Sequence, residues 1–212
     1  MGTSSSQLKL KVCGMKYSEN LKELVSLKPG YIGFIFYSKS PRYYMGENFS
    51  LPEEIQKVGV FVNASLGEIE GIMKKHQLQV IQLHGDESVE FCKEFKALHP
   101  QKKIWKSFSI GNSFEFGKLN EYDSVDAILF DTKGENYGGN GLKFDWKLLE
   151  SLPIQKEIIL SGGIHPKDVV KIKELKERVP QITTIDINSR FELEPGRKNI
   201  ELIKEFVQNL KR

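Results

Sequence analysis

Short apolar runs rich in β-branched and aromatic residues recur along this chain, separated by polar or helix-patterned stretches. They are Leu8 to Cys13, Tyr31 to Phe36, Lys57 to Val62, Val80 to His84, Ile104 to Phe108, Ala127 to Asp131, Glu157 to Ser161 and Thr184 to Asn188, eight candidate strands in all. Between most of them apolar residues fall at helical spacing, as in Leu66, Ile69, Ile72 and Met73, or Ile203, Phe206, Val207 and Leu210. Pro166 stands where a first-turn proline belongs, and Asn199 is placed to cap the last helix. Strands this apolar are buried on both faces, and eight of them alternating with helices predict an α/β fold, a single parallel (β/α)8 TIM barrel spanning 8–212. One unit is irregular: Tyr37 to Tyr44 is a polar loop, and Met45 to Gln56 contains Gly46 and Pro52, so the second helix is expected to be shortened or missing.

In such a barrel, chemistry gathers where strands end and βα loops begin. The strand ends here are Cys13, the loop Ser38-Lys39-Ser40-Pro41-Arg42-Tyr43, Asn63, His84, Asp131, Ser161-Gly162-Gly163 and Asn188-Ser189, nearly all polar and chemically competent. Position alone would leave Cys13 as one more small buried hydrophobe. Followed at once by Gly14, however, it is a thiol held at a rim with room beside it for a ligand. Asp131 emerges at the same rim. It either bonds the loop backbone beside Thr132 or pairs with the thiol as acid and base, which requires burial to raise the acid's pKa and a positive potential to lower the thiol's. Gly162-Gly163 after strand 7 and Ser189-Arg190 after strand 8 occupy the two loops that bind phosphate in many such barrels, so a sugar phosphate or similar anion is the expected substrate.

Composition narrows the setting. The chain has 212 residues, 39% of them hydrophobic, with no composition break that would divide it. Residues 1–7 read as a short polar leader without signal-peptide character, and no apolar run is long enough to span a bilayer. Two cysteines are too few for a disulfide scaffold, so both are expected to be free thiols in a reducing, cytoplasmic setting. A net charge of +3, from 31 basic and 28 acidic residues with the signs interspersed, suits a small anionic substrate and lacks the basic stripe of a nucleic-acid binder. Cys92 shares a helical stretch with Val89 and Phe95 and reads as core. No local ligand spacing supports a metal site built from Cys13, Cys92 and His84.

Several motifs together resemble the phosphoribosylanthranilate isomerase family. They are Lys11-Val12-Cys13-Gly14-Met15, Gly33-Phe34-Ile35-Phe36-Tyr37 running into Ser40-Pro41-Arg42-Tyr43, Val58-Gly59-Val60-Phe61-Val62-Asn63 and Gln82-Leu83-His84-Gly85. Asp131-Thr132-Lys133, Tyr137-Gly138-Gly139-Asn140-Gly141, Phe144-Asp145-Trp146, Leu160-Ser161-Gly162-Gly163 and Pro195-Gly196 continue the series in order. The resemblance implies an Amadori rearrangement in tryptophan biosynthesis, with Asp131 as general acid, Cys13 as general base and no metal or organic cofactor. It implies that Arg42 faces the anthranilate carboxylate and that Asp186, pointing to the same side as Asn188, supports the site. His84 either touches the ligand or hydrogen-bonds the rim. The implied ligands of the substrate are thus Arg42, His84, Gly162, Gly163, Asp186, Asn188, Ser189 and Arg190, and a monomer or homodimer is expected. The chain departs from the family where Arg190 replaces a usual glycine, Asn188 a frequent serine and Asn199 a capping aspartate. Two other readings stay open: a different sugar-phosphate isomerase or synthase on the same scaffold, and a catalytically silent barrel serving as an interaction subunit.

Overall fold

A computed structural model describes residues 8–110, 114, 116–132, 145–152 and 154–212. The polar leader at 1–7, Lys133, the Tyr137 to Gly141 motif and Phe144 lie outside the described residues.

The eight expected strands are all present and close into one parallel barrel in chain order. They are β1 Lys9–Val12, β2 Tyr31–Ile35, β3 Gln56–Phe61, β4 Val80–Leu83, β5 Lys103–Ile110, β6 Ala127–Thr132, β7 Glu157–Leu160 and β8 Ile182–Ile187. β8 returns beside β1 and closes the ring, with Lys11 directly opposite Asp186 in the ladder. The outer layer carries α1 Ser18–Val25, α2 Leu66–His76, α3 Val89–Leu98, α4 Val169–Arg178 and α5 Ile200–Lys211.

The helix starts are written locally. Ser65 and Glu68 form a reciprocal capping box on α2, Ser88 accepts the Phe91 amide on α3, and Asn199 accepts the Leu202 amide on α5, so Asn199 does cap the last helix. Pro166 opens a 3₁₀ turn, Pro166–Asp168, that leads into α4. The described connections from β5 to β6 and from β6 to β7 contain 3₁₀ turns, Phe116–Glu121 and Trp146–Ser151. Each turn spans only 6 residues and buries a single leucine, Leu119 or Leu149. Residues 36–55 contain no helix, as expected. Tyr44 closes that side of the barrel instead, its ring 4.7 Å from that of Phe34 and 5.7 Å from that of His76. The Tyr44 amide bonds the Ile35 carbonyl at 2.9 Å, which draws the segment back onto β2.

Strand alternation divides the buried side chains into two sets. One, including Leu10, Val12, Ile32, Phe34, Ile81, Leu83, Ile128, Phe130, Ile185 and Ile187, joins the core between sheet and helices. The other faces the barrel interior. Its lower part is an apolar plug of Tyr31, Val58, Val80, Trp105, Ala127, Leu129 and Ile159, with the Tyr31 and Trp105 rings edge-on at 4.8 Å. Its upper part is polar, with Lys11, Gln82, Ser107, Asp131 and Asp186 all buried. No described helix is long and apolar enough to cross a membrane.

The plug holds the interior closed beneath the polar layer. Trp105→Ala is therefore expected to lower the unfolding free energy by about 3–5 kcal/mol, read from urea denaturation. A loss under about 1 kcal/mol would mean that the interior is not packed around this ring.

Candidate functional site

Cys13 is the first residue past β1, and its amide donates to the Ile187 carbonyl of β8 at 2.9 Å. The chain then turns at Gly14 with φ +75°, a conformation that favours glycine. A Cβ on Gly14 would stand 2.8 Å from Arg42 Cδ and 2.9 Å from Asn188 Oδ1, so the glycine lets both side chains come over the thiol's strand end. Gly33 on β2 does the same from the other side, where a Cβ would meet Cys13 Sγ at 2.9 Å. Both expected free thiols are buried, Cys92 in the outer core.

Two ammonium groups act on the Cys13 sulfur. Lys11, two residues earlier on the same inward face, pairs with Asp186 Oδ2 at 2.7 Å. Lys198 comes from outside the barrel proper, on a hairpin of β9 Glu192–Glu194 and β10 Arg197–Lys198 that follows β8. Positive charge does stand near the thiol, yet burial is the larger effect and pushes the Cys13 thiol up, with Lys11 and Lys198 pulling it back and Asp186 adding to the rise. Burial likewise raises Asp186, against the pull of Lys11. For Lys11 burial opposes the charge, but Asp186 and Cys13 together hold the ammonium above the ordinary lysine value.

Asp131 lies inside β6, one residue short of its end, and faces the interior. Its Oδ1 accepts the Thr132 amide at 2.8 Å, the local bond that its position beside Thr132 suggested. Its Oδ2 lies 3.4 Å from His84 Nε2. Gln82 Nε2 is 2.9 Å from His84 Nδ1 and 3.2 Å from Ser107 Oγ. The Gln82 amide and the Asp131 carboxyl flank the two ring nitrogens of His84 and fix the plane of the ring. His84 thus bonds the rim through Gln82 and touches the carboxylate. Asp131 and His84 both act electrostatically on Asp186, so the thiol side and the carboxyl side form one buried polar layer.

Arg42 stands at the mouth, but its fork is engaged. Nε bonds Glu192 Oε1 at 2.9 Å and Nη2 bonds Oε2 at 2.6 Å, a bidentate pair. The pair uses Nε and Nη2 and does not involve Nη1. Glu192 also accepts Lys198 Nζ at 2.7 Å and the Gly196 amide at 3.0 Å. Burial works against its charge, yet Arg42 and Lys198 hold its carboxyl below the ordinary glutamate range. Burial takes Lys198 down to about 8, against the pull of Glu192. Asn188 Oδ1 accepts the same ammonium at 2.7 Å, and buried Asn20 of α1 clamps the Lys198 backbone through both of its polar groups.

On the adjoining loops, Gly162 and Gly163 have φ of +83° and +63°. A Cβ on Gly162 would stand 2.7 Å from the Thr132 amide nitrogen and 3.0 Å from Asp131 Oδ1, so this loop must be glycine to lie against the end of β6. Ser189 and Arg190 open a 3₁₀ turn, Ser189–Phe191, at the same end of the neighbouring strand. Arg190 is exposed and takes no left-handed backbone, so the departure from glycine costs no strain. Among the described residues no group of three or more His, Cys, Asp or Glu could hold a metal ion.

The structure therefore brings Cys13, Asp131, His84, Asp186, Asn188 and Arg42 to one mouth, with the glycine and serine loops beside it. Sequence reasoning missed Lys11, Glu192 and Lys198. Lys11 carried a signal, since it alternates with Cys13 on a strand whose other face is apolar. Glu192 and Lys198 carried none, because a short hairpin of charged residues reads as a solvated turn.

A family model described as N-(5'phosphoribosyl)anthranilate (PRA) isomerase matches residues 10–209. A protein of Parabacteroides distasonis named N-(5'-phosphoribosyl)anthranilate isomerase is 39% identical, with 95% of this chain and 92% of that one covered. The crystal structure of phosphoribosyl anthranilate isomerase from Thermus thermophilus superposes with a TM-score of 0.84 at 25% identity, covering 96% of this chain and 98% of that one. A phosphoribosyl anthranilate isomerase in complex with reduced 1-(o-carboxyphenylamino)-1-deoxyribulose 5-phosphate superposes with a TM-score of 0.77 at 28% identity, covering 97% and 99%.

Glu192 neutralises two buried cations, the side chains of Arg42 and Lys198 being 11% and 0% exposed. Glu192→Gln is expected to cost about 3–5 kcal/mol at neutral pH, because both are left without a counter-charge. A carboxyl held below its unfolded value stabilises the fold above that value and loses its contribution as pH falls through the folded one. Urea unfolding of wild type and variant should accordingly differ down to pH ~4 and converge only in stronger acid. Convergence already at pH 6 would contradict the assignment.

Proposed function

The chain belongs to the N-(5'-phosphoribosyl)anthranilate isomerase family and is an isomerase of tryptophan biosynthesis, and from that membership we propose its reaction and the residues that perform it. The reaction is the Amadori rearrangement of N-(5-phosphoribosyl)anthranilate to 1-(2-carboxyphenylamino)-1-deoxyribulose 5-phosphate. The observation that carries this reading is a thiol and a carboxyl group, Cys13 and Asp131, buried in the same inward-facing layer at the mouth of one barrel.

Asp131, in its protonated form, gives its proton to the furanose ring oxygen. The bond from C1 to that oxygen breaks as the anilino nitrogen lone pair forms the C1=N iminium. Cys13, as thiolate, removes the C2 proton; the C–H electron pair becomes the C1=C2 bond, and the iminium pair returns to nitrogen, giving an enolamine. Tautomerisation adds a proton at C1 and removes one from the C2 hydroxyl, leaving the ketone. The iminium is the electron sink, so the step calls for no cofactor.

The free edge of the Arg42 fork suits the anthranilate carboxylate, with Glu192 holding the guanidinium in place. The Gly162–Gly163 loop and the Ser189–Arg190 turn suit the phosphate, their backbone N–H groups supplying donors. His84 steadies Asp131, and Asp186 and Asn188 steady the two lysines. The reading favours this isomerase over a synthase that uses a lysine as its acid or an isomerase that uses two aspartates.

Purified protein should consume phosphoribosylanthranilate and release the ribulose phosphate without added metal. Absence of turnover in the folded protein would favour a silent barrel. Cys13→Ala and Asp131→Asn should each lower kcat by at least about a hundredfold with KM little changed, since general acid–base groups contribute about 10² to 10⁴. A change confined to KM would make either one a binding residue. Arg190→Ala should leave phosphate-ligand affinity nearly unchanged, whereas a tenfold loss, about 1.4 kcal/mol, would make that side chain a phosphate ligand.

A further inference from the structure

Lys11 is a buried charge that takes no part in the proposed proton transfers. Its side chain is wholly enclosed, and its Nζ lies 2.7 Å from Asp186 Oδ2 across the β1–β8 ladder. A buried ion pair is weak as a stabilising device, and apolar residues of similar volume often do as well or better. The lower interior of this barrel is already filled with such residues. The pair is also unevenly used, since Asp186 Oδ1 is buried without a hydrogen-bond partner among the described residues.

The space above the pair points to the thiol. One point, where a Cβ of Gly33 would stand, is 2.9 Å from Cys13 Sγ and 3.2 Å from Lys11 Cε, so both side chains lie against the bare backbone of that glycine. The Lys11 charge acts on the thiol and pulls its pKa down, against the larger effect of burial.

We propose that Lys11 is a positioning residue for Cys13: its ammonium, anchored by Asp186, sits beneath the sulfur and holds the thiolate in the barrel mouth. The proposal rests on the reading of Cys13 as the base. The charged groups acting on Cys13 are Lys11 on its own strand, Asp186 on β8 and Lys198 on β10, with Asp131 and His84 acting in turn on Asp186. Of the two cations, Lys11 exerts the stronger pull on the thiol. Asp186 keeps Lys11 charged in a place where burial would otherwise neutralise it.

The test is the pH dependence of alkylation of Cys13 by iodoacetamide in the intact protein, with peptide mass spectrometry separating Cys13 from Cys92. Lys11→Met should raise the midpoint by about one pH unit or more, a tenfold loss of thiolate below it. Lys11→Arg, which keeps the charge, should restore most of the shift, and the lower limb of the kcat/KM profile should move with the alkylation midpoint. If Lys11→Met does not fold, Lys11→Met/Asp186→Leu removes both charges together, and its midpoint should still rise. A folded variant lacking the Lys11 charge with an unshifted midpoint, or Lys11→Arg behaving like Lys11→Met, overturns the role of Lys11 and leaves that of Cys13 standing. Normal turnover in Cys13→Ala overturns both.

Discussion

Closing eight parallel strands into a ring turns every second side chain of each strand into an interior only a few side chains wide, where water cannot satisfy a polar group. Whatever enters must be apolar and packed or polar and paired. This protein does both, in two storeys. Tyr31, Trp105 and their neighbours fill the lower one as a dry plug. The upper one is a layer of Lys11, Asp186, Gln82, Ser107 and Asp131, in which nearly every charge has a partner on the adjacent strand or one nearby. The plug lets the polar layer exist, because it denies water a route from below and keeps the local dielectric low.

A low dielectric strengthens electrostatic effects, and the site is organised around that. Burial by itself makes Cys13 a poor thiolate, and the counterweight is two ammoniums, one from beneath and one from the side. Neither is left bare: Asp186 neutralises the first, and the second shares the Glu192 carboxylate with Arg42. The mouth thus contains three fixed cations and carboxylates that orient them. On the proposed reading, a ligand carrying a phosphate and a carboxylate would meet donors already in place, with little reorganisation left for the reacting step.

The hairpin after β8 matters more than its length suggests. It supplies Glu192 and Lys198 and thereby determines where Arg42 lies, although Arg42 belongs to the loop after β2. Asn20 holds the hairpin against α1. Loss of the second helix fits the same arrangement: residues 36–55 run as a strap pinned by Tyr44 to β2, which leaves the Arg42 loop at the mouth.

Much of this was legible in the chain itself. The eight strands, the missing second helix, the Asn199 cap and the rim positions of Cys13 and Asp131 follow from alternation, turn residues and caps, which act over a few residues and can be read locally. The 3₁₀ turns after β5 and β6 were not foreseen, because only the space left over the sheet decides between a full helix and a shorter turn. The contacts that tune the site were also beyond local reading. Lys11 meets Asp186 across 175 positions of sequence, Arg42 meets Glu192 across 150, and Asn20 meets Lys198 across 178. Residue type along the strand made Cys13 and Asp131 candidates. Which charges stand beside them was decided by the register at which β8 closes on β1 and by the hairpin folded over that seam, since an electrostatic effect depends on distances that only the closed barrel sets.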